Sequence, residues 1–327
     1  MGGHKLCLSV PAALESSFPR TVAAPCSAES LLDRTTVPVL EVTGDIHVLI
    51  TSVATPEDAV SGSMCFCQDD EVTESHPAFF TRASLLVVST ELPEVPGRCM
   101  IRTADPRRWA AAAAGLLFPR TSFLHTTARL GRGVQLGKRV SIGAYAVIED
   151  DVYIGDDTTI GTHVVVMENT EIGARCDIQP GTVIGSDGFA HYRREERSMY
   201  TFPHLGRVSI GNDVEIGANC VIVRGVLNDT IIEDGVKIGS LCNIGHNCVL
   251  HKNAGVTSHV VLAGTVELGE GCDIGAGASV KQHTSVGAGA RVGMGSVVTK
   301  DVAPGVGVFG VPAEPLRTMR SLTWPNR

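Results

Sequence analysis

From Leu130 onward an aliphatic residue returns at every sixth position. The first series runs Leu130, Leu136, Ile142, Ile148, Ile154, Ile160, Val166, Ile172, Ile178 and Ile184, and it resumes at Ile210, Ile216 and Ile222. After a four-residue slip it continues from Ile232 through Ile238, Ile244, Leu250, Val256, Leu262, Leu268, Ile274, Val280, Val286 and Val292 to Val298. Period two alone describes a strand, whereas period six describes a short strand followed by a turn. Three such units close a triangular coil, and stacked coils pair their backbones about 4.8 Å apart. The twenty-five registered positions therefore predict about eight coils, a prism roughly 40 Å long at that spacing. The recurring aliphatic fills the interior. The Gly that most often follows it, as in Ile154-Gly155 and Ile274-Gly275, is expected to permit the corner. The small or β-branched residue four places on also points inward.

Composition fits such a core. Aromatic residues make up 5% of the chain, while Gly accounts for 36 residues. Of ten Cys, five (Cys176, Cys220, Cys242, Cys248 and Cys272) lie four places after a registered aliphatic. They are read as core fillers, because a free thiol packs as a small hydrophobe. Cys65-Phe66-Cys67 is too short a pattern for a metal site. Net charge is −8 and no basic stripe is present, which argues against a nucleic-acid partner. No run of eighteen apolar residues exists, so no membrane span is expected. The opening Met-Gly-Gly-His-Lys-Leu lacks the charged-then-apolar order of a signal peptide, and a cytoplasmic location is expected.

The breaks and flanks give the layout. Residues 1–104 lack the repeat and read as a small N-terminal α/β domain, with strands over Ile46–Val53 and Ala83–Ser89 and little pattern in the first forty residues. Residues 105–127 form a linker helix and entry, with Asp105 as N-cap and Pro106 in the first turn. Residues 128–303 form the β-helix, interrupted by an insertion over 186–207, and 304–327 form a tail. The insertion is polar and Arg-rich, and is either a solvated loop or a clasp over the neighbouring coil face. The second break, Arg224 to Thr230, reads as a bulge.

His163, His246, His251, His259 and His283 all fall in the repeat. His163 and His259 read as structural or exposed. His246 stands apart through its setting, Ile244-Gly245-His246-Asn247-Cys248.

Here the chain resembles a known family. Gly181-Thr182-Val183-Ile184-Gly185-Ser186-Asp187-Gly188-Phe189, Leu205-Gly206-Arg207-Val208, Ile210 to Ala218, Arg224-Gly225 to Ile232 and Ile244-Gly245-His246-Asn247 together resemble UDP-3-O-(3-hydroxyacyl)glucosamine N-acyltransferase. That is the third enzyme of lipid A (lipopolysaccharide) assembly and belongs to the hexapeptide-repeat acyltransferases. The likeness runs from about Gly44 to Met294. It implies a left-handed parallel β-helix, mainly β overall, that assembles as a homotrimer. It also implies an acyltransferase with no bound cofactor or metal, which moves an acyl group from a thioester (acyl carrier protein or acyl-CoA) to the amine of a nucleotide-linked amino sugar. An imidazole suits removal of the ammonium proton, and the resemblance gives that role to His246. Gly264, one coil on, is the matching oxyanion donor, and His283 matches a second His near the acyl or phosphopantetheine group. Asp187, Phe189, His191, Arg193 and Asn247 are the implied sugar and phosphate contacts, and Phe66 matches an aromatic that stacks on uracil.

Three departures stand out. Gly239-Ser240 replaces the family's Asp-Asn ahead of the catalytic His. Gln68-Asp69-Asp70 replaces its uridine element. The ending at Val308-Phe309-Gly310-Val311-Pro312-Ala313 resembles hexapeptide acetyltransferases that use acyl-CoA. A short-chain acyl-CoA-dependent N-acyltransferase acting on another nucleotide amino sugar is therefore the alternative reading. A zinc hydrase is a further one, because His246 and His251 are spaced like two ligands of the γ-class carbonic anhydrases, but the position of the third ligand is Ile210. A non-catalytic solenoid is the last.

Overall fold

The computed structural model describes residues 20–67, 77–89, 92–118, 122–193, 198–312 and 314–315. The chain divides into two compact units, residues 1–120 and 121–327.

The first unit carries a six-stranded sheet in the order Arg20–Ser27, Leu49–Val53, Ser63–Phe66, Leu85–Val88, Cys99–Arg102, Glu41–Thr43. Its four central strands are parallel and the two outer ones antiparallel. The helix Pro106–Leu117 begins as its sequence predicts, with the Asp105 carboxylate accepting the Arg108 N–H at 2.9 Å. It packs within this unit: Trp109, Ala113 and Leu117 bury against Leu31, Ile50, Met64 and Leu85. Residues 20–40, which show little pattern in sequence, supply an edge strand and a short helix whose Ala28 and Leu31 are fully buried. A seven-residue helix with two buried positions is too short to leave a readable period.

The second unit is the left-handed parallel β-helix. Its three faces are sheets of nine, eight and ten strands, most of them two residues long and all parallel except the terminal Glu314–Pro315, which pairs antiparallel with Gly307–Phe309. Coils stack in register at eighteen residues, as Ile148 on Val166 and Ile154 on Ile172. Each registered aliphatic from Ile142 to Val298 is buried, and so are all five Cys read as core fillers. Leu130 and Leu136, on the first coil, are 40% and 39% exposed, since no earlier coil covers them.

The corner glycines do a different job from the one expected. Left-handed backbone occurs three places after the aliphatic, at Asp151, Asp157, His163, Asn169, Asn219, Asn247, Asn253, His259 and His283, among others. Asn, Asp and His are the side chains that tolerate that region best. The Gly directly after the aliphatic is instead required by the stacking of coils. A Cβ on Gly155 would stand 2.7 Å from the Ala174 backbone nitrogen, and one on Gly217 would stand 2.4 Å from that of Ser240.

Both interruptions leave the same corner, between the first and second faces. The pairing of Ile172 with Ile210 skips the insertion, and that of Ile210 with Ile232 skips the shorter break. His246 occupies that corner one coil further on, between the strands Asn243–Ile244 and Val249–Leu250.

Candidate active site

The two interruptions are stapled to each other. The Arg224 N–H donates to Ser186 O at 3.0 Å and its Nε to Gly206 O at 2.7 Å, so one buried residue grips both ends of the insertion. The Arg224 guanidinium also pairs with Glu168, holding that carboxyl below its usual range. Glu149, hydrogen-bonded beside Glu168, is pushed up. Leu205 N–H donates to Val226 O at 2.7 Å. Arg207 ties the exit of the insertion to Asp229 and Glu171. Gly206 and Gly225 admit this closeness, because a Cβ on them would stand 2.3 and 1.5 Å from Asn228 O. Within the insertion His191–Arg193 pairs antiparallel with Met199–Thr201.

The shorter break, expected to be a bulge, is the support for the histidine. Val226 N–H donates to Asn247 Oδ1 at 3.1 Å, Asn247 Nδ2 donates to Asn228 O at 2.7 Å, and Asn247 N–H donates to Thr230 Oγ1 at 2.8 Å. These bonds fix which end of the amide is oxygen. His246 Nδ1 lies 3.1 Å from that Oδ1. An amide oxygen only accepts, so Nδ1 carries the proton and Nε2 keeps its lone pair. The ring is half-buried. Gly239-Ser240 lies at a different corner, where Ser240 Oγ accepts the Ala218 N–H at 3.2 Å. The neutral amide of Asn247 is thus the group that orients His246.

Gly264 stacks on His246. A Cβ there would meet the ring's Cε1 and Nε2 at 2.4 Å, so the ring edge bearing Nε2 lies directly over this residue. Among the described residues the Gly264 N–H has no hydrogen-bond partner, and its carbonyl accepts the His283 N–H at 3.2 Å. His283 sits exposed at a left-handed corner position two coils below Asn247.

Of the other residues singled out in sequence, Asp187 and Phe189 are exposed on the turn that opens the insertion. Phe189 packs edge-on to His191 at 4.6 Å, and His191 Nδ1 lies 2.9 Å from Thr201 Oγ1. Arg193 is exposed at the end of its short strand. The Asn247 side chain is engaged by protein groups on both its atoms, which fixes the amide beside His246. Phe66 belongs to the other unit. It is 38% exposed at the carboxyl end of a parallel strand, the end at which open α/β sheets receive ligands. Gln68-Asp69-Asp70 lies outside the described residues.

One residue beside His246 escaped the sequence reading. His204 is buried, and its ring lies 6.0 Å from that of His246 at 71°. Burial, then the neighbouring His246, Arg224 and His191, push its pKa down from 6.5 against an upward pull from Asp187. It has no place in the six-residue register, so only its position just before the repeat resumes at Leu205-Gly206-Arg207 marks it. His251, by contrast, is held between Glu233 at 3.1 Å and Glu267 at 3.0 Å through both ring nitrogens, while Ile210 is buried in the core. That arrangement does not assemble the zinc ligands the spacing had raised. A groove of about 460 Å³, lined by Leu130, Ile148, Glu149, Asp150 and Glu168, runs along the same edge nearer the first coil. No helix among the described residues is long and apolar enough to cross a membrane.

Comparison with known proteins agrees with this architecture. The family described as bacterial transferase hexapeptide (six repeats) matches residues 133–166 and 151–186. The hexapeptide repeat of succinyl-transferase matches residues 229–282 and 266–300. The UDP-3-O-acylglucosamine N-acyltransferase of Coxiella burnetii is 34% identical over 259 residues, 72% of each chain. A probable UDP-3-O-acylglucosamine N-acyltransferase 2, mitochondrial, from Arabidopsis thaliana is 39% identical over 156 residues, which are 48% of this chain. The match spans about half, 51%, of that relative's length. Among solved structures, UDP-N-acetylglucosamine acyltransferase from Campylobacter jejuni superposes with a TM-score of 0.52 at 27% identity, over 59% of this chain and 73% of that one.

Proposed function

Because the chain belongs to the UDP-3-O-acylglucosamine N-acyltransferase family, we propose that it moves an acyl group from a thioester to the amine of a UDP-linked amino sugar, with His246 as general base. The observation that carries this reading is the juxtaposition at one corner of a histidine with a fixed tautomer and a glycine with a free N–H.

The chemistry follows from those two groups. The acceptor is stored as an ammonium and must lose a proton to attack. His246 Nε2, whose lone pair is kept available by the bond from Nδ1 to Asn247, takes it. As the C–N bond forms, the carbonyl π electrons move to oxygen, and the Gly264 N–H donates to that oxyanion. Collapse breaks the C–S bond, the imidazolium returns its proton to the leaving thiolate, and the second proton of the nitrogen passes through the freed Nε2 to solvent, so that one proton is released for each amide formed. Asn247 offers no charge, so its contribution is orientation. His283 stands one coil beyond Gly264 on the donor side, and Asp187, Phe189, His191 and Arg193 face the acceptor. Phe66 stacks on the base. The active unit is a homotrimer. The donor is a thioester on acyl carrier protein or on coenzyme A. Gly239-Ser240, which stands where the family has Asp-Asn, favours testing the short-chain acyl-CoA reading alongside the lipid A one.

His246→Ala tests the assignment. Loss of a general base costs about 10²–10⁴-fold in turnover. The assay is product formation by mass spectrometry from UDP-3-O-acylglucosamine, with donors on acyl carrier protein and on CoA and with GDP- and dTDP-amino sugars as alternative acceptors. Turnover that survived the substitution within a few-fold would remove His246 from the role.

A further inference from the structure

The turn Asp187–Phe189 rests on His246, yet one side chain holds it there. The Gly188 N–H donates to His204 Nε2 at 3.2 Å. Among the described residues no other hydrogen bond reaches Asp187, Gly188 or Phe189. The remaining ties, at Ser186, Ala190, Leu205 and Gly206, fix the ends and the hairpin of the insertion. The turn lies close on what it covers. A Cβ on Gly188 would meet Val223 Cγ1 at 2.6 Å, His204 Nε2 at 3.3 Å and His246 Cδ2 at 3.7 Å. Accepting through Nε2 places the His204 proton on Nδ1, which is buried and unpartnered.

We propose that His204 is a positioning residue that latches the Asp187–Phe189 turn over His246, and that the latch holds only while its imidazole is neutral. The role rests on the reading of that turn as the acceptor side of the N-acyltransferase site. Protonated Nε2 would face the Gly188 N–H donor to donor, and the bond would be lost. The groups around the ring work in one direction with a single exception. Burial opposes the charge first, and Arg224, His246 and His191 oppose it too, while Asp187 favours it. Released from those surroundings, the imidazole returns toward its ordinary 6.5. The latched turn therefore has its full stability above that value. Below it the opened turn gains, by up to about ten-fold per pH unit, until the lowered value of the latched imidazole is reached.

The test uses the full chain as wild type, His204→Gln and His204→Leu. A Gln oxygen can accept the Gly188 N–H and does not titrate; Leu can do neither. The first readout is hydrogen exchange of residues 186–190 at pH 5 and pH 8, corrected for intrinsic exchange. The second is the split between KM and kcat for UDP-3-O-acylglucosamine. His204→Leu is expected to lose about ten-fold of protection and to raise KM about ten-fold, the scale of one hydrogen bond at a half-buried site, with kcat changed less than about three-fold. His204→Gln restores both, and its protection no longer depends on pH, whereas wild-type protection falls at pH 5. Unchanged exchange in His204→Leu, no rescue by Gln, or wild-type protection equal at the two pH values overturns the latch. Exchange needs no substrate, so an intact latch without turnover on any nucleotide sugar would defeat the acyl-transfer reading alone.

Discussion

Gly264→Ala isolates the geometry on which the proposed chemistry depends. The added methyl would lie 2.4 Å from both Cε1 and Nε2 of His246, whereas ordinary contact begins at 3.4 Å, so the ring must retreat by about 1 Å. Gly264 has no left-handed backbone to lose, and the half-buried ring has solvent to move into. The fold should therefore tolerate the change, with Tm within about 2 °C of wild type. The chemistry should not. A displacement of about 1 Å costs on the order of 10²-fold in rate, about 2.7 kcal/mol of barrier. The same methyl also crowds the N–H that would meet the oxyanion. Single-turnover rates with saturating thioester and UDP-3-O-acylglucosamine, beside thermal melts, separate the two effects. Gly217→Ala is the control, because its methyl would strike Ser240 backbone nitrogen at 2.4 Å, at another corner. That variant should lose stability while its folded fraction keeps its rate. A Gly264→Ala enzyme working within three-fold of wild type would refute the argument, because it would mean that Nε2 over Gly264 is not the reacting arrangement.

Asn247→Ala removes the acceptor for His246 Nδ1 and frees the ring to choose its tautomer. Turnover should fall about 10- to 100-fold with KM nearly unchanged, since the lost contact only orients the base; a pure KM effect would instead make Asn247 a substrate contact. His251→Gln tests the ion cluster on the second face. Hydrogen bonding to Glu267, then to Glu233, raises the His251 pKa above 6.5. Its stabilisation is therefore fully present below 6.5 and is lost as pH rises through the raised value. The Tm deficit of the variant should be larger at pH 6 than at pH 9, and equal deficits at the two pH values would count against the charged clamp.

The prism was legible because its constraint is repeated. Ile154, Ile172 and Ile178 meet the same environment as their neighbours one coil away, so one period describes them all, and the inward Cys follow from the same count. The N-terminal sheet has no such redundancy. Its helix at Ala28–Arg34 buries only Ala28 and Leu31, and the strand Cys99–Arg102 is buried throughout, which leaves no alternation to read. The corner glycines were misread because sequence shows where Gly occurs and not what presses on it; coil-to-coil contact with Ala174 or Ser240 is invisible in one dimension. His246 and Gly264 could be paired because both lie on the register. Asn247's three bonds and the place of His204 depend on how two out-of-register segments fold back on one corner, and no periodicity carries that.

What sets this corner apart is the removal of a side chain. In a three-sided coil the backbone N–H two places past the aliphatic points along the stack, and at five positions a side chain from the next coil caps it. Asp150 caps Arg132 at 2.8 Å, Asp156 caps Lys138 at 2.7 Å, Asn212 caps Ala174 at 2.9 Å and Asp234 caps Asn212 at 2.7 Å. Ser240 does the same for Ala218. The equivalent cap for His246 would come from residue 264, which is Gly. An Asp or Asn there would satisfy the N–H and rigidify the stack, but it would occupy the space in which the imidazole lies. The uncapped His246 N–H thus forgoes a structural hydrogen bond of about 1 kcal/mol, and in return the imidazole gains room to lie over Gly264. On this reasoning a search along any such prism for the site should look for the corner where a Gly breaks the capping beneath a His. In this chain Gly264 beneath His246 is that break, on the corner from which both insertions emerge.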